Sequence, residues 1–361
     1  MDELIDAEAL AGLRRRLTEA SGRGFDELGR AATRVDGMKL RSRVDVVAAA
    51  LVDDLPDTYG DAAALVRSAL DDPDFAGWTI WPVGEAMARL ALASDRADDF
   101  DDGLVLLADL TPRLSSEFAI RGFLARDLDR SLDVIATWTD HPDPHVRRLA
   151  SEGTRPYLPW AVRVKAIIDR PDCTIRLLDA LYRDDDEVVR RSVANHLNDL
   201  SRHAPDLLIE TATRWCSNPD VTTDRVVRQG LRTLVKRGDH RALALLGFGP
   251  AAIEVGDLRV SPPHVFLPGE VELSFAVTNV GDAATELAID YVIHFRKKNG
   301  SLAPKVFKLA TRRLAVGETA TISKRHALRQ MTTRVHHAGR HELELQINGE
   351  RYGRAEFDVT V

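Results

Sequence analysis

The chain lacks most of what announces a metal, a cofactor or a membrane. Among its 361 residues only Cys173 and Cys216 are cysteines, and no CxxC pair exists. A disulfide framework and a zinc finger are therefore excluded, and a reducing compartment is the simple reading. No run of eighteen apolar residues is present, so no membrane-spanning helix is expected. The opening segment MDELIDAEALAGL is acidic and amphipathic, without the basic and apolar regions of a secretory signal. A cytoplasmic location is the resulting expectation. HExxH, GxGxxG, the P-loop and GxSxG are all missing, and His336-His337 reads as a surface strand end. No metal and no cofactor are expected. The formal net charge of −7 is not that of a bulk nucleic-acid binder.

That charge is unevenly spread. Residues 257–361 carry 15 Lys+Arg against 12 Asp+Glu, a balance of +3, which leaves −10 for residues 1–256. Composition changes at the same place. Before residue 250 Ala, Leu, Arg and Asp dominate at helical spacing; after it β-branched residues alternate with polar ones. Gly247 to Leu258 has the glycines and proline of a linker. The expected fold is mainly α plus a β-domain: a HEAT-like helical-repeat solenoid over 1–250, followed by an immunoglobulin-like β-sandwich over 257–361. Six runs of period-2 character, such as VELSFAVTNV and ELAIDYVIHF, plus Arg259–Val265, give about seven strands separated by Gly/Asn/Asp turns. The Cys–Trp–Cys core of antibody domains is absent.

Repeats organise the first part. Acidic turns recur at Asp71-Asp72-Pro73-Asp74, Asp140-His141-Pro142-Asp143, Asp184-Asp185-Asp186 and Asn218-Pro219-Asp220. Three lead into helices carrying Val146-Arg147, Val189-Arg190 and Val227-Arg228, offset by 43 and 38 residues. Periods near forty mark stacked helix pairs with one extended binding face. The second helix of each pair normally lines that face, so its polar stripe matters. Helix 116–126 offers Glu117 and Arg121. Helix 145–155 offers Arg148, Glu152 and Arg155. Helix 187–200 offers Arg191, Asn195, Asn198 and Asp199. Helix 224–237 offers Arg228, Arg232 and Lys236.

Side by side, these stripes predict a basic groove with carboxylates in its middle. Arginines along a track suit phosphates, because neutralising them releases counterions. A carboxylate on that track repels phosphate and needs a reason. Glu117–Arg121 and Arg148–Glu152 have the i, i+4 spacing of ordinary helix-surface pairs, which alone would explain them. Asp199 has Asn195 at i−4, with Arg202 at i+3 as a possible partner. Among the tryptophans, Trp81-Pro82 and Pro159-Trp160 sit at expected helix starts. Trp160 follows the Glu152 helix after a short turn and is placed to project over the groove, where an indole can stack or stabilise a positive charge. The residues by themselves also allow a peptide-binding scaffold, or a DNA binder without chemistry.

Three passages narrow the choice. They are Ser116-Glu117-Phe118-Ala119-Ile120-Arg121, the run His145 to Pro156 (HVRRLASEGTRP) continuing through Leu158-Pro159-Trp160, and Ser192-Val193-Ala194-Asn195-His196-Leu197-Asn198-Asp199. In order and spacing they resemble the AlkC family of bacterial DNA alkylation-repair glycosylases, over roughly residues 1–250. Gly122 stands where proline would be expected. One branch of that family carries a C-terminal immunoglobulin-like domain. The resemblance implies excision of cationic N-alkylated bases such as 3-methyladenine, and also 3-methylcytosine and 1-methyladenine, without flipping the base into a pocket. It places the acidic and aromatic site residues on Glu117, Glu152, Trp160 and Asp199, with Arg148 and Arg155 as backbone contacts. The implied partner is double-stranded DNA containing alkylated bases, bound by a monomer with no obligate protein partner. The β-domain is expected to add Arg296, Lys297 and Lys298, at the Asn299-Gly300 turn, as further DNA contacts.

Overall fold

A computed structural model describes residues 4–330 and 335–361; Met1–Glu3 of the acidic opening segment lie outside them. Among the described residues no helix is long and apolar enough to cross a membrane. The helices run in chain order as α1 (Ala7–Ser21), α2 (Asp26–Ala32), α3 (Leu40–Asp54), α4 (Tyr59–Ala69), α5 (Ile80–Ala93), α6 (Ala97–Leu110), α7 (Ile120–Arg126) and α8 (Leu128–Ala136). They continue as α9 (Pro144–Glu152), α10 (Lys165–Asp169), α11 (Ile175–Leu181), α12 (Glu187–Asp199), α13 (Pro205–Ser217), α14 (Thr223–Gly230), α15 (Arg232–Arg237) and α16 (His240–Leu245). The strands are β1 (Ile253–Val255), β2 (Arg259–Ser261), β3 (His264–Phe266), β4 (Gly269–Asn279), β5 (Thr285–Arg296), β6 (Leu302–Leu314), β7 (Thr319–Leu328), β8 (Gly339–Ile347) and β9 (Glu350–Thr360).

The recurring acidic turns have a mechanical explanation. Asp143 and Asp186 cap α9 and α12 by accepting hydrogen bonds from the His145 and Val188 amides. One turn into each helix the arginine of the Val-Arg pair reaches back. Arg147 donates to the carbonyls of His141 and Pro142, and Arg190 to those of Asp184 and Asp185. Arg147 also grips the Asp184 carboxylate with two nitrogens, at 2.6 and 3.0 Å, and so ties one repeat to the next. The third pair departs from this pattern: Arg228 bonds Asp224 on its own helix. Apolar residues of α9 and α12 (Val146, Leu149, Val189, Val193, Leu197) are buried between the layers. Each such side chain contributes about 1.5–3 kcal/mol by leaving water.

Helix bounds differ from the sequence reading where a functional residue is concerned. Glu117 lies in a turn before α7, and Arg155 lies beyond the end of α9. The helix expected over 224–237 is broken into α14 and α15. That break is also where the chain divides. One compact unit holds the residues up to Thr211 with Asn218–Gly230, and the other holds Ala212–Ser217 with Leu231–Val361.

The second unit is built on two sheets. In one, β1 and β2 pair with one side of β4 and β7 with the other; the second has the order β3-β9-β8-β5-β6. Alternation makes the core: Val271, Leu273, Phe275 and Val277 of β4 are buried together with Leu287 and Ile289 of β5, Leu343 and Leu345 of β8, and Phe357 and Val359 of β9. The single strand expected at Arg259–Val265 is two, split by Pro262-Pro263 and shared between the sheets. β1 lies inside the stretch read as linker.

Within this unit α15 and α16 belong with the strands. Gln346 of β8 donates to the carbonyls of Val235 and Lys236. Gly238 ends α15 with φ +77°, and a Cβ there would fall 2.8 Å from the Gly349 carbonyl oxygen. The same covering buries Asp290 on β5. Burial pushes its carboxyl up to about 6, against the opposing charges of Lys308, Lys236 and Arg351.

Candidate active site

The motif residues come together as a ladder of alternating charge. Glu117 accepts from Arg148 at 2.9 Å and from the Ser115 hydroxyl at 3.0 Å. Arg148 also lies 3.8 Å from Glu152. Glu152 accepts from Arg155 at 2.7 Å. Arg155 in turn bonds both oxygens of Asp199, at 3.0 and 3.3 Å. Three carboxylates thus alternate with two arginines across the turn before α7, the end of α9 and the end of α12. Burial deepens along the ladder, from a part-exposed Glu117 to Glu152 at 7% and Asp199 at 3% exposure.

Two expected pairings are corrected. Glu117 and Arg121 do not form an i, i+4 pair, because Glu117 precedes the helix and bonds Arg148. The possible Asp199–Arg202 contact is replaced by Arg155; the Arg202 guanidinium lies 4.5 Å above the ring of Tyr157.

Beneath Glu152 a buried polar chain fixes its orientation. Its second oxygen accepts from Ser192 at 2.7 Å, and Ser192 shares a hydrogen bond with Ser151. His196, fully buried, has Nδ1 3.0 Å from the Ser151 carbonyl and Nε2 3.1 Å from the Thr174 hydroxyl. Burial drives its pKa down to about 4, against the pull of that carbonyl and of Asp199. Neutral His196 therefore donates through Nδ1 and accepts at Nε2. Burial pushes the Glu152 carboxyl upward, but Arg155, Arg148 and the hydrogen bonds from Ser192 and Arg155 outweigh it, so the group sits below its ordinary value. Glu152 stays ionised in a poorly solvated place.

Trp160 is set apart from the other tryptophans. Trp81 is buried and stacked on Phe118, Trp138 and Trp215 are buried, and Trp78 is at the edge of exposure. Trp160 is 74% exposed, and its φ of +65° is left-handed backbone that a bulky residue rarely adopts. It lies in a turn, not at a helix start; the next helix begins at Lys165.

The expected DNA contacts separate into three groups. Arg191 and Arg228 are exposed, Arg148 is part-exposed, and Asn195 accepts from Gln229 at 3.2 Å. Asn198 is buried. Arg121 and Arg155 do not have the geometry of phosphate contacts: they are 4% and 8% exposed. Arg155 is committed to Glu152 and Asp199, and Arg121 to main-chain carbonyls. Arg232 and Lys236 belong to the second unit, as do Arg296, Lys297 and Lys298. There Lys297 and Lys298 are exposed on the β5–β6 turn, whereas the Arg296 side chain lies over Gly339. Ser192 was not singled out beforehand, although it lies seven residues before Asp199, two turns away on the same face of α12. Among the described residues no group of His, Cys, Asp and Glu is arranged to hold a metal.

The fold and the ladder define a class: a helical-repeat protein with a C-terminal immunoglobulin-like domain and a carboxylate–arginine cluster at its helix ends. A family model described as the C-terminal Ig-like domain of the uncharacterised protein YhaZ matches residues 254–361. The uncharacterised protein YhaZ of Bacillus subtilis (strain 168) is 33% identical over 324 residues, which cover 89% of this chain and 88% of that protein. The solved structure of the Pseudomonas fluorescens alkylpurine DNA glycosylase AlkC, bound to DNA containing an abasic site analog, is 33% identical with a TM-score of 0.88. That match covers 100% of this chain and 99% of the other. The chain belongs to the AlkC family, in the branch with the immunoglobulin-like domain.

Proposed function

We propose that this protein is a DNA glycosylase that hydrolyses the N-glycosidic bond of cationic N-alkylated bases in duplex DNA. The observation that carries the reading is the ladder of carboxylates at Glu117, Glu152 and Asp199, held between arginines in a chain that matches an alkylpurine DNA glycosylase from end to end. A base alkylated on a ring nitrogen, as in 3-methyladenine, 3-methylcytosine or 1-methyladenine, is positively charged and leaves as a neutral molecule. The C1′–N bond breaks as the sugar takes on oxocarbenium character. Water supplies the new C1′–O bond, and its proton passes to a carboxylate.

In this scheme Asp199 and Glu152 stabilise the sugar cation and orient or deprotonate the water, as carboxylates do in glycoside hydrolysis. Neither has to act as a general acid, because the leaving base requires no protonation. Glu117 extends the negative field. Exposed Trp160 supplies an aromatic face to the damaged nucleotide. Arg148, Arg191 and Arg228 hold phosphates, with Asn195 and Asn198 nearby on α12. Lys297 and Lys298 contribute contacts from the β-domain, joined by Arg232, Lys236 and Arg296. The reading includes no base flipping, no metal or cofactor, a monomeric enzyme and action in the cytoplasm.

Purified protein incubated with methylated duplex DNA should release methylated bases identifiable by mass. DNA binding without release would favour a non-catalytic binder of damage. The carboxylates speak against that alternative, since on a phosphate-binding face they cost affinity.

A further inference from the structure

Arg121 holds the main chain at both ends of the segment that carries Trp160. Its Nε donates to the Val162 carbonyl at 2.5 Å, while Nη1 donates to the carbonyls of Gly153 and Arg155 at 2.9 and 3.0 Å. Nη2 is covered by protein and has no hydrogen-bond partner among the described residues. Gly153 permits this closeness: a Cβ there would fall 2.2 Å from Cδ1 of Ile120, the residue before Arg121. Between the two anchors the chain has no helix or strand. Trp160 stands in it with a left-handed backbone, and its exposed side chain supplies little of the holding force. A bulky residue in that region is strained and persists only where its surroundings over-determine it.

We propose that Arg121 is a positioning residue that clamps residues 153–162 into a closed loop and thereby presents Trp160 to the substrate. A planar guanidinium can bond carbonyls on both sides at once; an ammonium on a flexible stem cannot span them in the same way. Burial and the neighbouring Arg155 both weigh against the charge of Arg121, and Asp199 opposes them. Arg121 gives up hydration for three carbonyl dipoles and is not available to phosphate. The role in catalysis rests on the proposed contact between Trp160 and the damaged nucleotide. The clamp itself does not.

The test uses full-length Arg121→Lys and Arg121→Met, with circular dichroism to check folding. Should the methionine variant fail to fold, the lysine variant, which keeps the charge, decides. Without DNA, amide exchange in 153–162 should quicken by about tenfold or more while that of α12 is unchanged, the signature of local opening. In single-turnover excision, Arg121→Lys should lose about tenfold, and adding Trp160→Ala should cost no more than about threefold beyond Trp160→Ala alone, because residues acting through one loop are not additive. The salt dependence of DNA affinity should stay as in wild type. Unchanged exchange, fully multiplicative losses, or a salt slope lower by roughly one unit, as for a lost phosphate contact, would each overturn the proposal. If wild-type protein releases no base, the functional reading fails, and the exchange measurement still decides the clamp.

Discussion

Replacing Asp199 by asparagine isolates the charge at the buried end of the ladder. The amide fits the same space and keeps one oxygen for Arg155, but it loses the negative charge that faces that guanidinium at 3.0 and 3.3 Å. A hydrogen bond to a charged group is worth about 1.5–3 kcal/mol, and removing one partner of a buried pair costs about 3–5 kcal/mol. Asparagine retains part of the contact, and Glu152 still neutralises Arg155. A stability loss of about 1–3 kcal/mol follows, a fall in melting temperature of roughly 2–12 °C for a unit of this size. Chemistry should suffer more. A carboxylate acting as base or electrostatic stabiliser contributes about 10²–10⁴ in rate, so single-turnover excision should fall at least about a hundredfold. Affinity for a duplex with an abasic-site analog should hold or improve, since a charge that repels phosphate is gone. Excision within about threefold of wild type, by a protein folded by circular dichroism, would remove Asp199 from the mechanism.

Glu152→Gln should be as harmful to excision as Asp199→Asn, and Glu117→Gln milder, because Glu117 is the part-exposed outer end of the ladder; a reversed order in single-turnover rates would contradict this. Arg148→Ala should weaken binding to modified and unmodified duplex alike and lower the salt slope by roughly one unit. Arg155→Ala should instead lower the excision rate and the melting temperature, because it takes the arginine from buried Asp199 and leaves Glu152 with only Ser192 and the more distant Arg148; pure loss of affinity would refute that distinction. Charge reversal at Lys297 and Lys298 in the full-length chain should weaken duplex binding, read by fluorescence anisotropy, and leave the melting temperature unchanged. Removing the β-domain after Gly249 is a poorer test, because that cut divides a compact unit containing α15 and α16. His196 makes folding pH-dependent. Its folded pKa near 4 lies below the unfolded value of about 6.5, so the unfolded chain binds more protons between them. Its contribution is present above that window and is lost as pH falls through it, by up to roughly 3 kcal/mol. His196→Gln should flatten the fall in melting temperature between pH 7 and pH 4.5, and an unaltered slope would contradict the assignment.

Much of this was legible in the sequence, for identifiable reasons. Period-2 alternation located the long strands because each has one face in the core. The Val-Arg spacing marked helix pairs because Arg147 and Arg190 close the same acidic turn in successive repeats. The carboxylates stood out on the polar stripes and Trp160 by its place after the Glu152 helix, and motif likeness assigned them to the site. The Arg148–Glu152 contact was legible from its i, i+4 spacing, but Glu117–Arg148 and Arg155–Asp199 were not, because helical spacing predicts neighbours on one helix while these pairs cross between repeats. Arg155 is 44 residues from Asp199, and Arg148 is 31 from Glu117. Arg121 and Arg155 looked like phosphate ligands because a polar stripe says nothing about what lies above it. Ser192 was readable as a residue on the Asp199 face, but a serine there carries no signal until its glutamate partner is in view.

The central claim is that the carboxylate ladder expels an alkylated base by hydrolysis without help from a metal or cofactor. The direct measurement is base release from duplex DNA treated with a methylating agent, followed by mass spectrometry in the presence of a chelator. Wild-type protein should release 3-methyladenine well above the spontaneous rate and leave abasic sites in equal number, while Asp199→Asn protein stays at background. Binding of that DNA with no methylated base set free above background would contradict the account.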